Sequence, residues 1–260
     1  MRAEVAAVFL LALSGCELKD SARSADPNAP RWVAAGLGRC TALTPTDRQT
    51  VIAACEQGAV EVGADGRVVT LHDSMVDHVA VDKKSLWVKL PDQLLRGPLP
   101  QPGRSFTPRK SLELGTVDDL LVVPGSPLIV ATPGTLVHVS AGATASRWRK
   151  VPVPMHQLAA GPDGEIFAVS HDAVYAVEKR QFRQVIGGLD DVAAAVSLAS
   201  GKLVVASGQP ARLGTVTDQG YAPSKVEIEG LTDLVVMSNE DGPALWFTTS
   251  DGSVGYTAIP

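Results

Sequence analysis

The sequence has few aromatic side chains, few cysteines, no excess of basic charge and, past its first residues, no long apolar run. Aromatic residues make up 5% of the chain, whereas Gly and Pro number 24 and 18. That balance implies many turns and many short elements. Lys and Arg number 23 against 28 Asp and Glu. No basic stripe is present, so the electrostatic footprint of a nucleic-acid binder is missing. After Leu13 no apolar stretch reaches the length of a membrane-spanning helix. There is no H-E-x-x-H, C-x-x-C or EF-hand loop, and no G-x-S-x-G elbow, P-loop or dinucleotide fingerprint. Any ligand chemistry must come from residues that the fold gathers from distant positions.

The N-terminus is distinctive. Arg2 and the α-amino group form a positive start, and Val5 to Leu13 is a short apolar run. Its length suits a secretory signal and is too short to span a bilayer. Leu13-Ser14-Gly15-Cys16 resembles the lipobox of bacterial lipoproteins. The resemblance implies acylation of Cys16, cleavage before it and attachment to the cell envelope through lipid. Two or three acyl chains anchor stably where one holds marginally. Glu17 follows the cysteine, which favours the outer over the inner membrane under the enterobacterial sorting rule. Residues 1–15 read as signal peptide. Residues 16–30 read as the lipidated cysteine and a disordered tether of polar residues and prolines. The segment 17–30 spans at most about 50 Å when extended.

Two cysteines remain, Cys40 and Cys55. An exported compartment permits disulfides. The segments around them read as neighbouring antiparallel strands joined by TPTDRQ. A hairpin centred between Asp47 and Arg48 sets Cys40 opposite Cys55, within disulfide reach.

The rest of the chain repeats. Similar starts occur at Leu37, Val76, Val117, Met155, Leu189 and Leu231. Each leads into an apolar strand, a turn, and a second strand of shared type: TVIAAC, SLWVKL, PLIVAT, EIFAVS, KLVVAS and ALWFTT. A third and a more polar fourth strand follow in most units. Four short strands in a unit of about 40 residues mark a β-propeller blade. The expected fold is all-β: a six-bladed propeller of four-stranded blades over residues 31–260. The last unit lacks a fourth strand, and Arg31-Trp32-Val33-Ala34 resembles the outer strand Arg147-Trp148-Arg149-Lys150. The N-terminal segment is therefore expected to complete the last blade and close the ring, removing two exposed edges. The second unit is irregular. Its segment LLRGPLPQPGRSFTPRKS carries four prolines and reads as a loop excursion in place of a clean third strand.

Propellers bind ligands where the channel opens on the face made by the loops that lead into the inner strands. His72, His78, His156 and His171 map there. The residues just before each inner strand, Arg39, His78, Asp119, Gln157, Asp191 and Asp233, should form one ring at the channel mouth. Imidazole and carboxylate suit a divalent metal or a cationic ligand. His78, Asp119, His156, Asp191, Asp233 and Arg39 are thus the candidate ligand or metal residues. Asp before a strand also caps turns through side-chain to backbone bonds.

Gly161-Pro162-Asp163-Gly164-Glu165-Ile166-Phe167-Ala168-Val169-Ser170 resembles the repeat of the NHL and SMP-30-like propellers. That group holds scaffolds as well as the gluconolactonase and streptogramin-lyase families. In the lactonases the resemblance implies a channel metal on Glu, Asn and Asp. Here asparagine occurs only at Asn28 and Asn239. The expectation is a lipid-anchored envelope propeller that works as a protein-interaction or ligand-binding scaffold, with an envelope protein as partner. The alternative is a metal-dependent hydrolase or lyase, or a small-molecule binder, acting through the His/Asp mouth.

Overall fold

A computed structural model describes residues 29–260 except 124, 180, 240 and 241. The segments expected to be signal peptide and tether, with Cys16, lie outside the described residues apart from Ala29 and Pro30. Among the described residues there is no helix, and twenty-four strands form six antiparallel four-stranded sheets. Blade 1 comprises β2 (Cys40–Pro45), β3 (Thr50–Cys55), β4 (Gly58–Gly63) and β5 (Val68–His72). Blade 2 comprises β6 (His78–Asp82), β7 (Ser85–Lys89), β8 (Gln93–Pro98) and β9 (Lys110–Glu113). Blade 3 runs through β10 (Asp119–Leu121), β11 (Leu128–Thr132), β12 (Thr135–Val139) and β13 (Ala145–Lys150). Blade 4 runs through β14 (Gln157–Ala160), β15 (Ile166–Val169), β16 (Ala173–Val177) and β17 (Phe182–Gly187). Blade 5 holds β18 (Val192–Ser197), β19 (Leu203–Ser207), β20 (Ala211–Thr217) and β21 (Gly220–Ile228). Blade 6 holds β22 (Leu231–Asn239), β23 (Gly242–Thr249), β24 (Val254–Thr257) and, as its outer strand, β1 (Arg31–Ala34). The ring closes as expected, with Arg31 opposite Tyr256.

Second strands are apolar because blades cover them on both faces. β19, Leu-Val-Val-Ala-Ser, is buried throughout. The core is six clusters, each shared by adjacent blades. Between blades 6 and 1, Trp246 and Met237 pack on Val51, Val60 and Cys40. A shell of small aliphatics accounts for how few aromatics the fold needs.

Cys40 and Cys55 form the disulfide, with Cα atoms 4.0 Å apart. The path to that pairing differs from the expected one. The hairpin pairs Pro45 with Val51 and Leu43 with Ala53, one residue out of the register that sets the cysteines opposite. A bulge between Cys40 and Ala42 then restores them as partners.

The second blade also departs from expectation. A third strand, β8, does form, because Gln93 to Gly97 contains no proline and Pro98 falls at its end. The excursion is confined to residues 99–109. It folds back on blade 1, where the Phe106 N–H donates to the Leu71 carbonyl at 2.6 Å and the Phe106 ring is buried edge-on to His72.

The disc has two faces. On the upper face lie the loops that lead into inner strands and those joining second to third strands. On the lower face lie the remaining hairpins. Arg31 pairs with Tyr256 near the lower end of β24, so the chain enters the propeller from the lower face. Ala29 and Pro30 share a surface hollow there with Ala258, Ile259 and Pro260.

Candidate functional site

The inner strands β2, β6, β10, β14, β18 and β22 are sheet edges, and their backbone faces the channel. Strand register identifies the ring at its upper end. Asp119, Gln157 and Asp233 pair with Ala131, Val169 and Thr248, the equivalent residues of three second strands. Ala42 pairs with Ala54, His78 with Lys89 and Ala194 with Ala206 at the same level. The ring is therefore Ala42, His78, Asp119, Gln157, Ala194 and Asp233. Arg39 and Asp191 are not members. Through a longer lead-in and a bulge in each of β2 and β18, the ring level falls three residues beyond Arg39 and Asp191, on Ala42 and Ala194; Arg39 is exposed and Asp191 half-buried outside it.

The ring side chains reach across blade boundaries. Asp119 accepts from its own neighbour Leu120 N at 2.7 Å and from Leu158 N of blade 4 at 2.6 Å. Gln157 Oε1 accepts from Ala195 N of blade 5 at 2.7 Å. Asp233 accepts from Leu234 N at 2.8 Å and from Leu43 N of blade 1 at 2.6 Å. The Gln157 amide donates to Asp233 Oδ1 at 2.5 Å. Three side chains thus satisfy five edge-strand N–H groups that would otherwise face the channel unpaired. All three are over nine-tenths buried. Burial, and next the charge of Asp119, push the Asp233 carboxyl up to about 7.

Below the ring lies a cavity of about 280 Å³, walled by residues such as Leu43, Val81, Leu121, Ala160 and Val236. It runs toward the lower face, and among the six candidates only Asp119 and Asp233 line it.

In the ring and above it sit histidines. His78 Nδ1 lies 3.5 Å from Asp119 Oδ1 but makes no hydrogen bond. His156 Nε2 lies 3.2 Å from the Ala193 carbonyl, and its Nδ1 is buried without a partner. Burial lowers its pKa, and neighbouring His171, with ring centroids 5.1 Å apart, adds to the effect. His171 is exposed beside Asp191 at 3.6 Å. Burial raises the Asp118 pKa against the opposing effect of His78.

Lys89 was not among the candidates. Its side chain is 1% exposed. It donates to the Leu90 and Pro91 carbonyls and lies 3.8 Å from Asp77. Burial lowers its pKa, opposed by Asp77. A signal was present, since the equivalent second-strand positions hold Ala54, Ala131, Val169, Ala206 and Thr248.

The metal that the lactonase resemblance implies does not fit these residues. Two of six ring positions are alanine, and the carboxylate oxygens are occupied by backbone N–H donors. Among the described residues no group of three or more His, Cys, Asp or Glu side chains is placed to hold a metal ion.

No family model matches this sequence, and no curated protein sequence matches it either. Solved structures do. A luciferin-regenerating enzyme superposes with a TM-score of 0.66 at 14% identity, covering 88% of this chain and 95% of that one. A gluconolactonase from Xanthomonas campestris gives 0.63 at 13%, covering 88% and 89%. A streptogramin B lyase gives 0.61 at 10%, covering 89% and 97%. At such identity the likeness is one of fold, the propeller, and it carries no activity with it.

Proposed function

We propose that the protein is a lipid-anchored propeller of the bacterial cell envelope that works as a protein-interaction or ligand-binding scaffold. One observation carries the scaffold reading. The polar side chains at the channel ring are committed to hydrogen bonds between blades. They make the disc rigid, which is what a binding platform requires. The anchor rests on the lipobox resemblance at Cys16, and Glu17 favours the outer membrane. The lower-face origin of the propeller's first strand would leave the upper face turned away from the lipid.

The full chain and its Cys16→Ser variant, expressed with labelled palmitate, test the anchor. The wild type should take up label and fractionate with membranes, and the variant should do neither. Label in neither protein would overturn the anchor. A photo-crosslinking side chain at position 190 should give a discrete adduct in cells. Repeated absence of any adduct there, and at position 202 on the lower face, would count against a protein partner.

A second reading, a small-molecule binder or hydrolase at the channel mouth, is favoured by the unpartnered nitrogens of His78 and His156. A metabolite that raises the melting temperature of the wild type but not of His78→Ala would put that reading first.

A further inference from the structure

The two faces differ in charge far more than the composition suggests. In the loops of the upper face stand ten Asp or Glu residues and a single basic residue, Arg39. In the lower-face loops the described residues include six Asp or Glu and eight Lys or Arg. The net negative charge of the protein is thus concentrated on one side of a flat disc. At the upper ends of strands stand the exposed Lys150 and Arg212, the latter paired with Glu227, and Lys89, which is buried and held by two carbonyls and Asp77.

A second observation points to a ligand on the same side. Among the described residues, three histidine nitrogens are buried without a hydrogen-bond partner: His72 Nε2, His78 Nδ1 and His156 Nδ1. All three lie at the upper ends of inner or outer strands or in an upper-face loop. Burial lowers the His156 pKa and so favours its neutral ring, in which Nε2 donates to the Ala193 carbonyl and Nδ1 is left as an acceptor. Carboxylates only accept, so this face, in its loops, offers far more acceptors than donors. Its complement is a group rich in N–H donors and positive charge, as lysine and arginine side chains are.

We propose that the upper face is the docking surface for a lysine- and arginine-rich segment of a partner protein. The proposal rests on the interaction-scaffold reading and names its partner by chemistry. It agrees with the direction of the tether. An anionic bilayer repels the acidic face and tolerates the near-neutral lower face, where the chain enters. The acidic face would then look outward, where charge attraction speeds encounter with a basic partner.

The test uses the full chain in detergent and a fluorescent deca-lysine peptide as probe. In the upper variant, Asp73→Asn, Asp92→Asn, Asp190→Asn and Glu229→Gln are combined. In the lower variant, Asp47→Asn, Asp163→Asn, Glu165→Gln and Asp218→Asn are combined. All eight side chains are exposed, and both variants lose the same charge. The expected result is binding that weakens with salt, falls about tenfold in the upper variant and stays near wild type in the lower one. Equal loss in both, or no measurable binding to the wild type, overturns the proposal. So does displacement of the peptide by micromolar Ca²⁺ or Mg²⁺, which would mark a metal site. Should a variant fail to fold, a photoreactive deca-lysine on the wild type decides. Adducts must map to upper-face loops, and adducts elsewhere refute the assignment. None of these outcomes depends on Cys16, so failure here is separable from failure of the anchor or of the adduct seen in cells.

Discussion

The seam between blades 5 and 6 and the seam between blades 6 and 1 solve one problem differently. Between 5 and 6 the contact is apolar: Ala194, Val204 and Leu213 pack on Leu234, Leu245 and Phe247. The ring residue of blade 5, Ala194, has nothing to reach across with, and the Leu234 N–H turns to its own neighbour Asp233. Between 6 and 1 packing is joined by polar ties. Asp233 holds Leu43 N, and the Leu37 N–H donates to the Gly252 carbonyl at 3.2 Å. Gly252, at φ +81°, lies so close to the Gly38 backbone that a Cβ there would meet its carbonyl oxygen at 2.1 Å. The difference follows from chain connectivity. Blade 6 is the one blade assembled from both ends of the fold, and its outer strand is held by the short, bulged pairing of β1 with β24. Direct ties from β22 and the β23–β24 loop to blade 1 make closure less dependent on that pairing.

The largest expected effect comes from removing the tie. At pH 5, Asp233→Ala leaves three buried donors without an acceptor, at about 1–3 kcal/mol each, or about 5 kcal/mol together. Ala194→Gly, at the equivalent position of the untied seam, should cost about 1 kcal/mol. Urea unfolding of both variants compares the seams directly, and equal losses would erase the distinction.

Next comes pH. The Asp233 carboxyl, at about 7 in the folded protein against an ordinary 3.8, binds its proton more tightly folded than unfolded. Stability should therefore be fully present below about pH 4 and decline as pH rises to about 7, by up to about 4 kcal/mol from this group. Asp233→Asn should remove that part of the slope, although its amide N–H₂ will oppose one of the backbone donors. An unchanged slope in the variant would show that the burial of this carboxyl is not what couples folding to pH.

The smallest effect is expected at the seam between blades 1 and 2, where Thr44 Oγ1 accepts from Val81 N at 3.3 Å. Thr44→Val should cost about 1 kcal/mol. A loss as large as that of Asp233→Ala would mean that hydroxyl ties carry as much as carboxylate ones.

Much of the disc was legible in the chain. Val, Ala and Leu recur at fixed offsets because each second strand is covered on both faces. The missing last strand and the stray Arg31-Trp32 pattern had one joint explanation. The disulfide was legible too, though through a register that the hairpin does not adopt. The ring was legible at four of its six positions. His78, Asp119, Gln157 and Asp233 take their expected places, whereas Arg39 and Asp191 lose theirs to Ala42 and Ala194. The ring level there lies three residues further along, through a longer lead-in and a bulge, and neither leaves a mark in composition or periodicity. Lys89 stood out within SLWVKL, yet only the fold shows that its ammonium is capped by carbonyls.

The sequence by itself determined the number of blades, the strand that closes them and the cysteine pair, because these follow from local periodicity and from edges that must be covered. Only the tertiary structure decided which residues meet at the ring and that they tie blades together. It also decided that the cavity lies below the ring while acidic loops gather above it. Those outcomes depend on strand register within each blade, where a shift of three residues puts Ala194 in the place expected of Asp191.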